Sequence, residues 1–243
     1  MRRFGLLGYP LSHSFSQKYF TEKFAQLGLT DCVYENFSLP NIEELALVLQ
    51  EKKDLCGFNI TIPYKKQVLS FLDEVSPVVA AIGACNCVQI KAGKLTGYNT
   101  DVVGFEESLK PFLQPHHTTA LVLGTGGASA AVEYVLHKLG ISVQYVSRVT
   151  SGNAIAYEQV DEKILATHHL LINTTPLGMY PNLTECPDLP YRFLTPQHHL
   201  YDLIYNPAET QFLANGKAQG ATTQNGQEML ILQAEESWRI WNS

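Results

Sequence analysis

Residues 118–148, TTALVLGTGGASAAVEYVLHKLGISVQYVSR, contain the pattern that decides the fold. A short apolar run ends in Gly124, Gly126 and Gly127, an amphipathic helical stretch follows, and a second apolar run ends at Arg148. Strand, glycine turn, helix and strand in this order form one βαβ unit with parallel strands. The stretch therefore predicts an α/β chain with a Rossmann-like domain.

The glycine turn predicts a dinucleotide site. Glycines permit the tight turn and let backbone N–H groups approach a pyrophosphate, while the next helix points its positive end at that charge. Ser129 stands where the G-x-G-x-x-G pattern has its last glycine, and it is small enough for close helix–strand packing. Because a strand precedes the turn and a helix follows it, we favour a dinucleotide over a purely structural turn.

The end of the second strand favours NADP over NAD. An acidic residue there would bind the ribose 2′-hydroxyl of NAD, whereas a guanidinium neutralises a 2′-phosphate. No Asp or Glu lies between Gly140 and Tyr157, and Arg148 lies at the strand end. The alternative is a solvent-facing arginine with no ligand.

The rest of the chain also alternates strands with helices, and we predict two α/β domains. The first covers 1–102 together with a C-terminal helix over 226–243 that packs back on it, and the second covers 103–225. Earlier strands are predicted over RFGLLG, VYENFSL and LCGFNITI, with helices over SHSFSQKYFTEKFAQLG, NIEELALVLQE and residues 64–72. CNCVQIKAGKLTGYNTD predicts a hairpin that turns at Ala92-Gly93, and HLLINTTP and HLYDLIYNP predict later strands.

Composition excludes several classes of function. The 243 residues are 45% hydrophobic and carry a net charge of −6, without a block of Lys and Arg, so nucleic acid and membranes are not expected partners. Five scattered cysteines, the absence of a signal-like segment and the absence of a membrane-spanning run predict a cytoplasmic protein without disulfides or metal. The histidine doublets at 116–117, 168–169 and 198–199 are interpreted as surface or loop residues.

NITIPYKK, residues 59–66, is either an edge strand that ends in solvent or a polar platform. Alternation with period two puts Asn59 and Thr61 on one face, with Ile60 and Ile62 toward the core. Lys65, just past a proline, can reach the same side as Asn59 and Thr61.

Other short polar segments lie at predicted strand ends, and each has an ordinary structural explanation. Ser14 and Ser16 fit helix caps, Asn86 fits a turn, and Asp101 fits the N-cap of the next helix.

Taken together, these segments resemble the shikimate dehydrogenases of aromatic amino-acid biosynthesis over the whole length of the chain. The similar motifs are GYPLSHSFS, NITIPYK, ACNCV, NTDVVGF, GTGGA, INTTPLGM, YDLIYNP and NGQEMLILQAEESW.

The resemblance implies reversible, NADPH-dependent reduction of 3-dehydroshikimate to shikimate, with Lys65 and Asp101 as the catalytic pair. It implies that Ser14, Ser16 and Tyr205 hold the substrate carboxylate. The residues implied to hold the rest of the substrate are Asn59, Thr61, Lys65, Asn86, Asp101 and Gln233. The residues implied to hold NADP are Gly124, Thr125, Gly126, Gly127, Ala128, Ser147, Arg148, Leu203, Gly226 and Met229.

Three positions depart from the family pattern: Gln17 replaces a common proline, Cys87 a threonine, and Glu228 a frequent glycine. Two other functions stay open. One is an NAD-dependent quinate or quinate/shikimate dehydrogenase on the same scaffold. The other is a ligand-binding paralogue without catalysis, against which the retention of both Lys65 and Asp101 argues. The oligomeric state is expected to be monomer or homodimer.

Overall fold

The computed structural model describes residues 1–11, 14–149 and 152–243, which form two compact units. The first unit is Met1–Thr100 with Ala234–Ser243, and the second is Asp101–Gln233. Ser12 and His13, in the predicted first helix and carboxylate-binding segment, lie outside the described residues.

The first unit is built on a six-stranded mixed sheet of order β2-β1-β3-β5-β6-β4. Its strands are β1 (Arg2–Gly8), β2 (Cys32–Ser38), β3 (Leu55–Ile60), β4 (Glu74–Val75), β5 (Cys87–Lys91) and β6 (Lys94–Tyr98). The strands β1, β2 and β3 run parallel, whereas β5 pairs antiparallel with both β3 and β6. Between β5 and β6, Ala92 and Gly93 have positive φ values of 52° and 78°, which confirms the predicted hairpin turn.

Three α-helices pack on this sheet: α1 (Phe15–Gln26), α2 (Leu45–Glu51) and α3 (Pro77–Ile82). Serines cap two of them. The Ser14 hydroxyl accepts a hydrogen bond from Gln17 N at the start of α1, and the Ser76 hydroxyl accepts one from Val79 N at the start of α3. Short 3₁₀ helices cover Ile42–Glu44 and Gln67–Phe71.

The end of the C-terminal helix, from Ala234 onward, belongs to the core of the first unit. Trp241 stacks on Phe4 with ring centroids 4.8 Å apart, and its indole N–H donates to Val88 O at 2.9 Å. Gly57 leaves the space for this indole, since a Cβ at that position would overlap the ring.

The second unit holds a five-stranded parallel sheet of order β11-β10-β9-β7-β8. Its strands are β7 (Thr119–Leu123), β8 (Ser142–Val146), β9 (Leu170–Asn173), β10 (His199–Asp202) and β11 (Thr222–Gln224). Its helices are α4 (Asp101–Leu109), α5 (Ser129–Lys138), α6 (Glu162–Leu165), α7 (Gln211–Ala218) and the first part of α8 (Gln227–Trp241), with further 3₁₀ turns at Lys110–Phe112, Tyr157–Gln159 and Tyr191–Phe193. The predicted βαβ unit is therefore β7–α5–β8. Among the described residues, no helix is both long and apolar enough to cross a bilayer.

Several local expectations were wrong. Ile62, expected in the core, is 75% exposed because β3 ends at Ile60 and the chain then turns. The helix expected over 64–72 is a turn followed by the 3₁₀ helix Gln67–Phe71. The histidine doublets are not confined to the surface, since His117, His198 and His199 are buried.

Candidate functional site

The glycine turn of the second unit is shaped to admit a ligand. Gly124 has φ +97°, a conformation that L side chains rarely adopt, and its N–H donates to Val146 O at 2.8 Å. A Cβ at Gly126 or Gly127 would meet no atom within 4 Å, so both backbones are open on that side. Ser129 begins α5 and its hydroxyl donates to Gly126 O at 2.7 Å, so the serine in place of the last glycine closes the turn.

A cleft of about 230 Å³ opens beside this turn. Its lining residues are Gly124, Thr125, Gly126, Ser147, Arg148, Tyr157, Thr174, Thr175, Pro176 and Leu177. Five of them are predicted cofactor residues, while Gly127 and Ala128 continue the same turn into α5. The exposed glycine backbones and the N-terminus of a ten-residue helix fit a pyrophosphate.

The far wall of the cleft carries the predicted determinant of NADP binding. Arg148 is exposed at the end of β8, and the Ser147 hydroxyl next to it accepts a hydrogen bond from Val149 N at 3.3 Å. Tyr157 lies on the same wall, where burial raises the pKa of its phenol and the Arg148 charge opposes that rise. Sequence reasoning missed Tyr157, because its aromatic character is equally typical of a core position.

The remaining cofactor residues lie at the start of α8. Gly226 contacts the backbone of Leu203 so closely that a Cβ there would overlap the Leu203 carbonyl, and Gly226 N donates to Ile204 O at 3.0 Å. Met229, one turn into α8, is 9% exposed. Leu203 and Gly226 are thus brought together, and the glycine is required by this close approach.

Helices α4 and α8 cross at a glycine in the second unit. A Cβ at Gly104 would lie 2.6 Å from Met229 O and 3.1 Å from the Gln233 Cβ. The crossing positions the predicted substrate residue Gln233, which is 9% exposed and donates from its amide to Leu230 O at 2.8 Å. Asp101, the first residue of α4, belongs to the same unit, and Tyr205 follows β10 with 42% of its surface exposed.

In the first unit, the two predicted carboxylate-binding serines lie at the start of α1. Because the Ser14 hydroxyl accepts from Gln17 N, its own proton can still be donated to a carboxylate. Ser16 is half-buried on the first turn. Gln17, which departs from the family pattern, supplies an N–H that proline lacks, and its side chain accepts from the Asn36 amide at 2.9 Å.

Asn59 is buried and its amide group is held by protein partners. Its Oδ1 accepts from the Tyr34 hydroxyl at 2.9 Å, while its Nδ2 donates to Ser237 Oγ at 2.8 Å and to Asn86 O at 3.3 Å. Burial raises the pKa of Tyr34 well above its usual value, and a hydrogen bond with Ser16 opposes that rise. Asn59 therefore ties three segments of the first unit together, and its contact with substrate stays a prediction.

Thr61 and Lys65 stand on the turn that follows β3. Tyr64 N donates to Thr61 O at 3.0 Å and closes the turn, and Thr61 N donates to Leu7 O at 2.9 Å. The Lys65 carbonyl accepts from Cys85 N at 2.8 Å, which ties this turn to the segment that carries Asn86. Both side chains are half-buried, whereas Lys66 is exposed.

Asn86 fixes the residue that precedes Asp101. Its Oδ1 accepts from Thr100 N at 2.6 Å and from the Thr100 hydroxyl at 3.2 Å, and it is 3% exposed. Cys87 beside it is fully buried, and burial raises the pKa of its thiol, so the departure from threonine is accommodated as a small core residue. Glu228 is exposed in the first turn of α8, where a negative charge is favourable.

Two neighbouring strands of the second unit end in polar residues that the sequence did not assign to the site. Asn173 and Asp202, the last residues of β9 and β10, are fully buried and hydrogen-bonded to each other at 3.0 Å. Their positions at the carboxyl ends of parallel strands, which line the ligand edge of such sheets, are the sequence signal that could have found them.

Comparison with known proteins identifies similar chains. Residues 6–88 match the family described as the shikimate dehydrogenase substrate binding domain. A relative from Caldicellulosiruptor saccharolyticus, named shikimate dehydrogenase (NADP(+)), is 36% identical over 258 residues, covering 99% of this chain and 92% of the relative.

Two solved structures are similar over nearly the whole chain. Shikimate 5-dehydrogenase from Thermus thermophilus, in complex with NADP(H) and shikimate, has a TM-score of 0.87 and 35% identity, covering 99% of this chain and 93% of that chain. The Listeria monocytogenes enzyme, in complex with shikimate and NAD, has a TM-score of 0.88 and 28% identity, covering 100% and 92%.

Proposed function

Because this chain belongs to the shikimate dehydrogenase family, we propose that it catalyses the reversible NADPH-dependent reduction of 3-dehydroshikimate to shikimate. The observation that carries the proposal is the cleft beside Gly124, with open glycine backbones at one end and Arg148 at the other. This arrangement suits a dinucleotide with a 2′-phosphate. Bound NADPH supplies the hydride.

The residues that hold NADP are proposed to be those of the glycine turn and of the end of β8. Gly124 forms the turn, backbone N–H groups from Thr125 to Ala128 bind the pyrophosphate, and Ser147 and Arg148 bind the 2′-phosphate. Leu203, which follows β10 and contacts Gly226, and Met229 in the first turn of α8 border the nicotinamide. The Arg148 guanidinium at this wall supports NADP over NAD, as the name of the Caldicellulosiruptor relative also does.

The substrate residues are proposed from the matched motifs and from the local geometry. Ser14 and Ser16, at the N-terminus of α1, and Tyr205 bind the carboxylate. The ring hydroxyls are bound by Asn59, Thr61, Asn86, Asp101 and Gln233. The hydroxyl and amide side chains pair with the ring hydroxyls without adding net charge to the site, and the Asp101 carboxylate accepts from a ring hydroxyl.

Lys65 and Asp101 are proposed as the catalytic pair. During reduction, negative charge develops on the carbonyl oxygen of 3-dehydroshikimate, and a cationic Lys65 stabilises and then protonates it. During oxidation, the neutral amine accepts the proton from the substrate hydroxyl. Asp101 interacts with the reacting hydroxyl and holds its orientation for this proton transfer.

The direct test follows NADPH formation by absorbance with purified protein, shikimate and NADP⁺. The assay is repeated with each pairing of shikimate or quinate with NADP⁺ or NAD⁺. Comparing these four rates separates this function from a quinate/shikimate dehydrogenase that uses NAD. Lys65→Ala is expected to lower kcat by about a thousandfold and to change KM by about threefold or less. The matched control is Lys66→Ala, at the exposed neighbour, which should keep wild-type kinetics.

Each outcome decides between functions. Turnover by Lys65→Ala within a few-fold of wild type would remove the catalytic assignment. No turnover by the wild type with any substrate and cofactor pair would favour a ligand-binding paralogue instead.

We also propose a cytoplasmic enzyme that is a monomer or a homodimer. The five cysteines are all free thiols, which suits a reducing compartment. Cell fractionation tests the location, and a periplasmic pool would contradict it. Light scattering during size-exclusion chromatography tests the oligomeric state, and an assembly larger than a dimer would contradict it.

A further inference from the structure

Asp202 is a buried carboxylate that the proposed chemistry does not use. It is 0% exposed at the end of β10 and accepts hydrogen bonds from three directions. Oδ1 accepts from the Asn173 amide at 3.0 Å and from Ile204 N at 3.1 Å, and Oδ2 accepts from the Thr210 hydroxyl at 2.6 Å. A buried charge with no countercharge among these partners is costly, whereas donors that approach both of its oxygens favour the ionised form.

The carboxylate fixes which way the Asn173 side chain faces. An ionised carboxylate only accepts hydrogen bonds, so the amide NH₂ of Asn173 must point toward Asp202. Asn173 Oδ1 is then directed to Thr175, where it accepts from the backbone N–H at 3.0 Å and from the hydroxyl at 2.6 Å. The opposite orientation would set oxygen against oxygen on one side and donor against donor on the other.

Thr175 transmits this orientation to the dinucleotide cleft. It lines the cleft, and its methyl group lies 2.8 Å from where a Cβ at Gly124 would be, so it packs directly on the glycine turn. Its hydroxyl also accepts from Leu177 N at 3.3 Å, and the neighbouring Thr174 hydroxyl donates to Leu123 O at 2.8 Å. The wall of the cleft and the glycine turn are therefore one hydrogen-bonded assembly.

We propose that ionised Asp202 is a positioning residue for the dinucleotide site: it orients Asn173, which holds Thr175 against the glycine turn at Gly124. The identity of the ligand as NADP rests on the proposed function, whereas the positioning of Thr175 is a property of the ligand-free protein.

The effect depends on pH because the ionised carboxylate accepts at both oxygens in charge-assisted hydrogen bonds, whereas the acid form turns one oxygen into a donor and weakens its hold on Asn173. Burial raises the pKa of Asp202 to about 6, and the hydrogen bonds from Thr210, Ile204 N and Asn173 oppose that rise. Those partners are uncharged, and the nearby acid Glu209 is exposed and paired with Lys217 at 2.9 Å. Above about pH 6 the carboxylate is ionised and the wall is set, and below it the acid form donates a proton and the wall loosens.

The test compares NADPH affinity of wild type and Asp202→Asn between pH 5.0 and 7.5 by fluorescence titration. Asparagine has the same shape and carries an amide NH₂, so it stands for the protonated form at every pH. We expect about tenfold weaker binding by Asp202→Asn at pH 7.5, which corresponds to the loss of one to two hydrogen bonds. The ratio should approach one at pH 5.0. Taking the ratio cancels the titration of the cofactor's own 2′-phosphate, whose pKa is about 6.

Ser108→Ala is the matched control. The Ser108 hydroxyl lies 2.8 Å from the Tyr201 hydroxyl. Tyr201 directly precedes Asp202 in β10, so its side chain points to the other face of the sheet. The Ser108→Ala variant loses a buried hydrogen bond in the same unit without changing the cleft. The ratio of its NADPH affinity to that of wild type should therefore stay near one at every pH. A ratio for Asp202→Asn that is equally constant with pH would show a structural role only and overturn the proposal.

A double-mutant cycle tests whether Asp202 acts through Thr175. Thr175→Val removes the hydroxyl and keeps the shape, and it should weaken binding about fivefold at pH 7.5 by itself. The double variant should bind within about twofold of Asp202→Asn, since the link is already broken. Full additivity would contradict the proposal. If Asp202→Asn does not fold, Thr175→Val decides instead. Its NADPH affinity should then lack the change near pH 6 that wild type shows.

Hydrogen exchange of the Thr175 backbone amide separates this inference from the proposed function. In the ligand-free protein at pH 7.5, we expect exchange about tenfold faster in Asp202→Asn and unchanged in Ser108→Ala. Absence of any nucleotide binding by the wild type would refute the proposed function, while the exchange rates would still decide the positioning. Equal exchange in wild type and Asp202→Asn would refute the positioning alone.

Discussion

His199→Asn is expected to reduce the acid sensitivity of the second unit. His199 belongs to a histidine cluster at the N-terminal ends of β7, β9 and β10, with successive ring centroids 4.4–6.4 Å apart; its members are His116, His117, His169, His198 and His199. The His199 ring is 0% exposed and stacks on Phe112 at 5.0 Å. Its Nδ1 lies 2.8 Å from the Thr222 hydroxyl.

The magnitude follows from the titration of one ring. Burial, with a smaller contribution from His117, lowers the pKa of His199 from 6.5 to about 4. Because the folded-state pKa lies below the unfolded one, this contribution to stability is complete above about pH 6.5 and is lost as the pH falls toward 4. Linkage with these two values gives a loss of about 2 kcal/mol between pH 7.5 and pH 5.0.

Burial also lowers the pKa of His117, His169 and His198, so they add to the loss in the same direction. Asp202 acts in the opposite sense. Its folded-state pKa is raised to about 6, so its contribution is present below about pH 4 and is lost as the pH rises through 6. The pH dependence of wild-type stability therefore combines opposing contributions. The difference in this pH dependence between wild type and His199→Asn isolates the contribution of His199.

The assay is urea unfolding followed by far-ultraviolet circular dichroism at pH 7.5 and 5.0. Asparagine places an amide nitrogen near the Nδ1 position and does not titrate, so the variant loses some stability at both values. Its drop in unfolding free energy between them should be about 2 kcal/mol smaller than that of wild type. His137→Asn, at an exposed position on α5, is the control and should keep the wild-type drop. Equal drops in wild type and His199→Asn would refute the reasoning.

The remaining predictions concern the cofactor and the two cores. Arg148→Ala should raise KM for NADP⁺ about tenfold and leave KM for NAD⁺ within about twofold, since the charge-assisted hydrogen bond is lost only with the 2′-phosphate; equal effects on both cofactors in steady-state assays would contradict this. Gly226→Ala should lower the free energy of unfolding by about 2 kcal/mol or more, because the new Cβ overlaps the backbone of Leu203. Gly127→Ala, where a Cβ meets open space, should change it by about 0.5 kcal/mol or less. Equal urea midpoints for the two variants would contradict this prediction. Asn59→Ala should cost about 3 kcal/mol, since it leaves buried hydroxyl and carbonyl partners unpaired, and a loss below about 1 kcal/mol would show that the site relaxes.

Much of the local structure followed from the sequence, because short-range physics controls it. The glycine turn between β7 and α5 was predicted from spacing, since only glycine adopts φ +97° there without strain. The hairpin at Ala92-Gly93 and the final helix followed from turn chemistry and helical periodicity in the same way. Ile62 was misplaced because alternation continues in the sequence past the point where the strand ends.

Candidate site residues could be named where a motif is local in the sequence, and their partners could not be named where these come from distant segments. Lys65 and Asp101 could be named as a catalytic pair from the resemblance, and Arg148 could be named from its place at the end of a predicted strand. Asn59 gave no sign that its amide is already held by β2, the segment before β5, and α8, because these partners are up to 178 residues away.

The sequence by itself determined that this is an α/β chain with a glycine turn between a strand and a helix and that a guanidinium follows the next strand, because glycine spacing and charge are local properties. Only the tertiary structure decided how the distant ends of parallel strands meet. At the N-terminal ends of β7, β9 and β10, the adjacency of these strands buries histidines that the sequence suggests are loop residues. At the carboxyl ends, the adjacency of β9 and β10 places Asp202 against Asn173 and so links a buried charge to the cleft. The physical reason is that strand order, which long-range packing selects, sets which side chains share a low-dielectric environment.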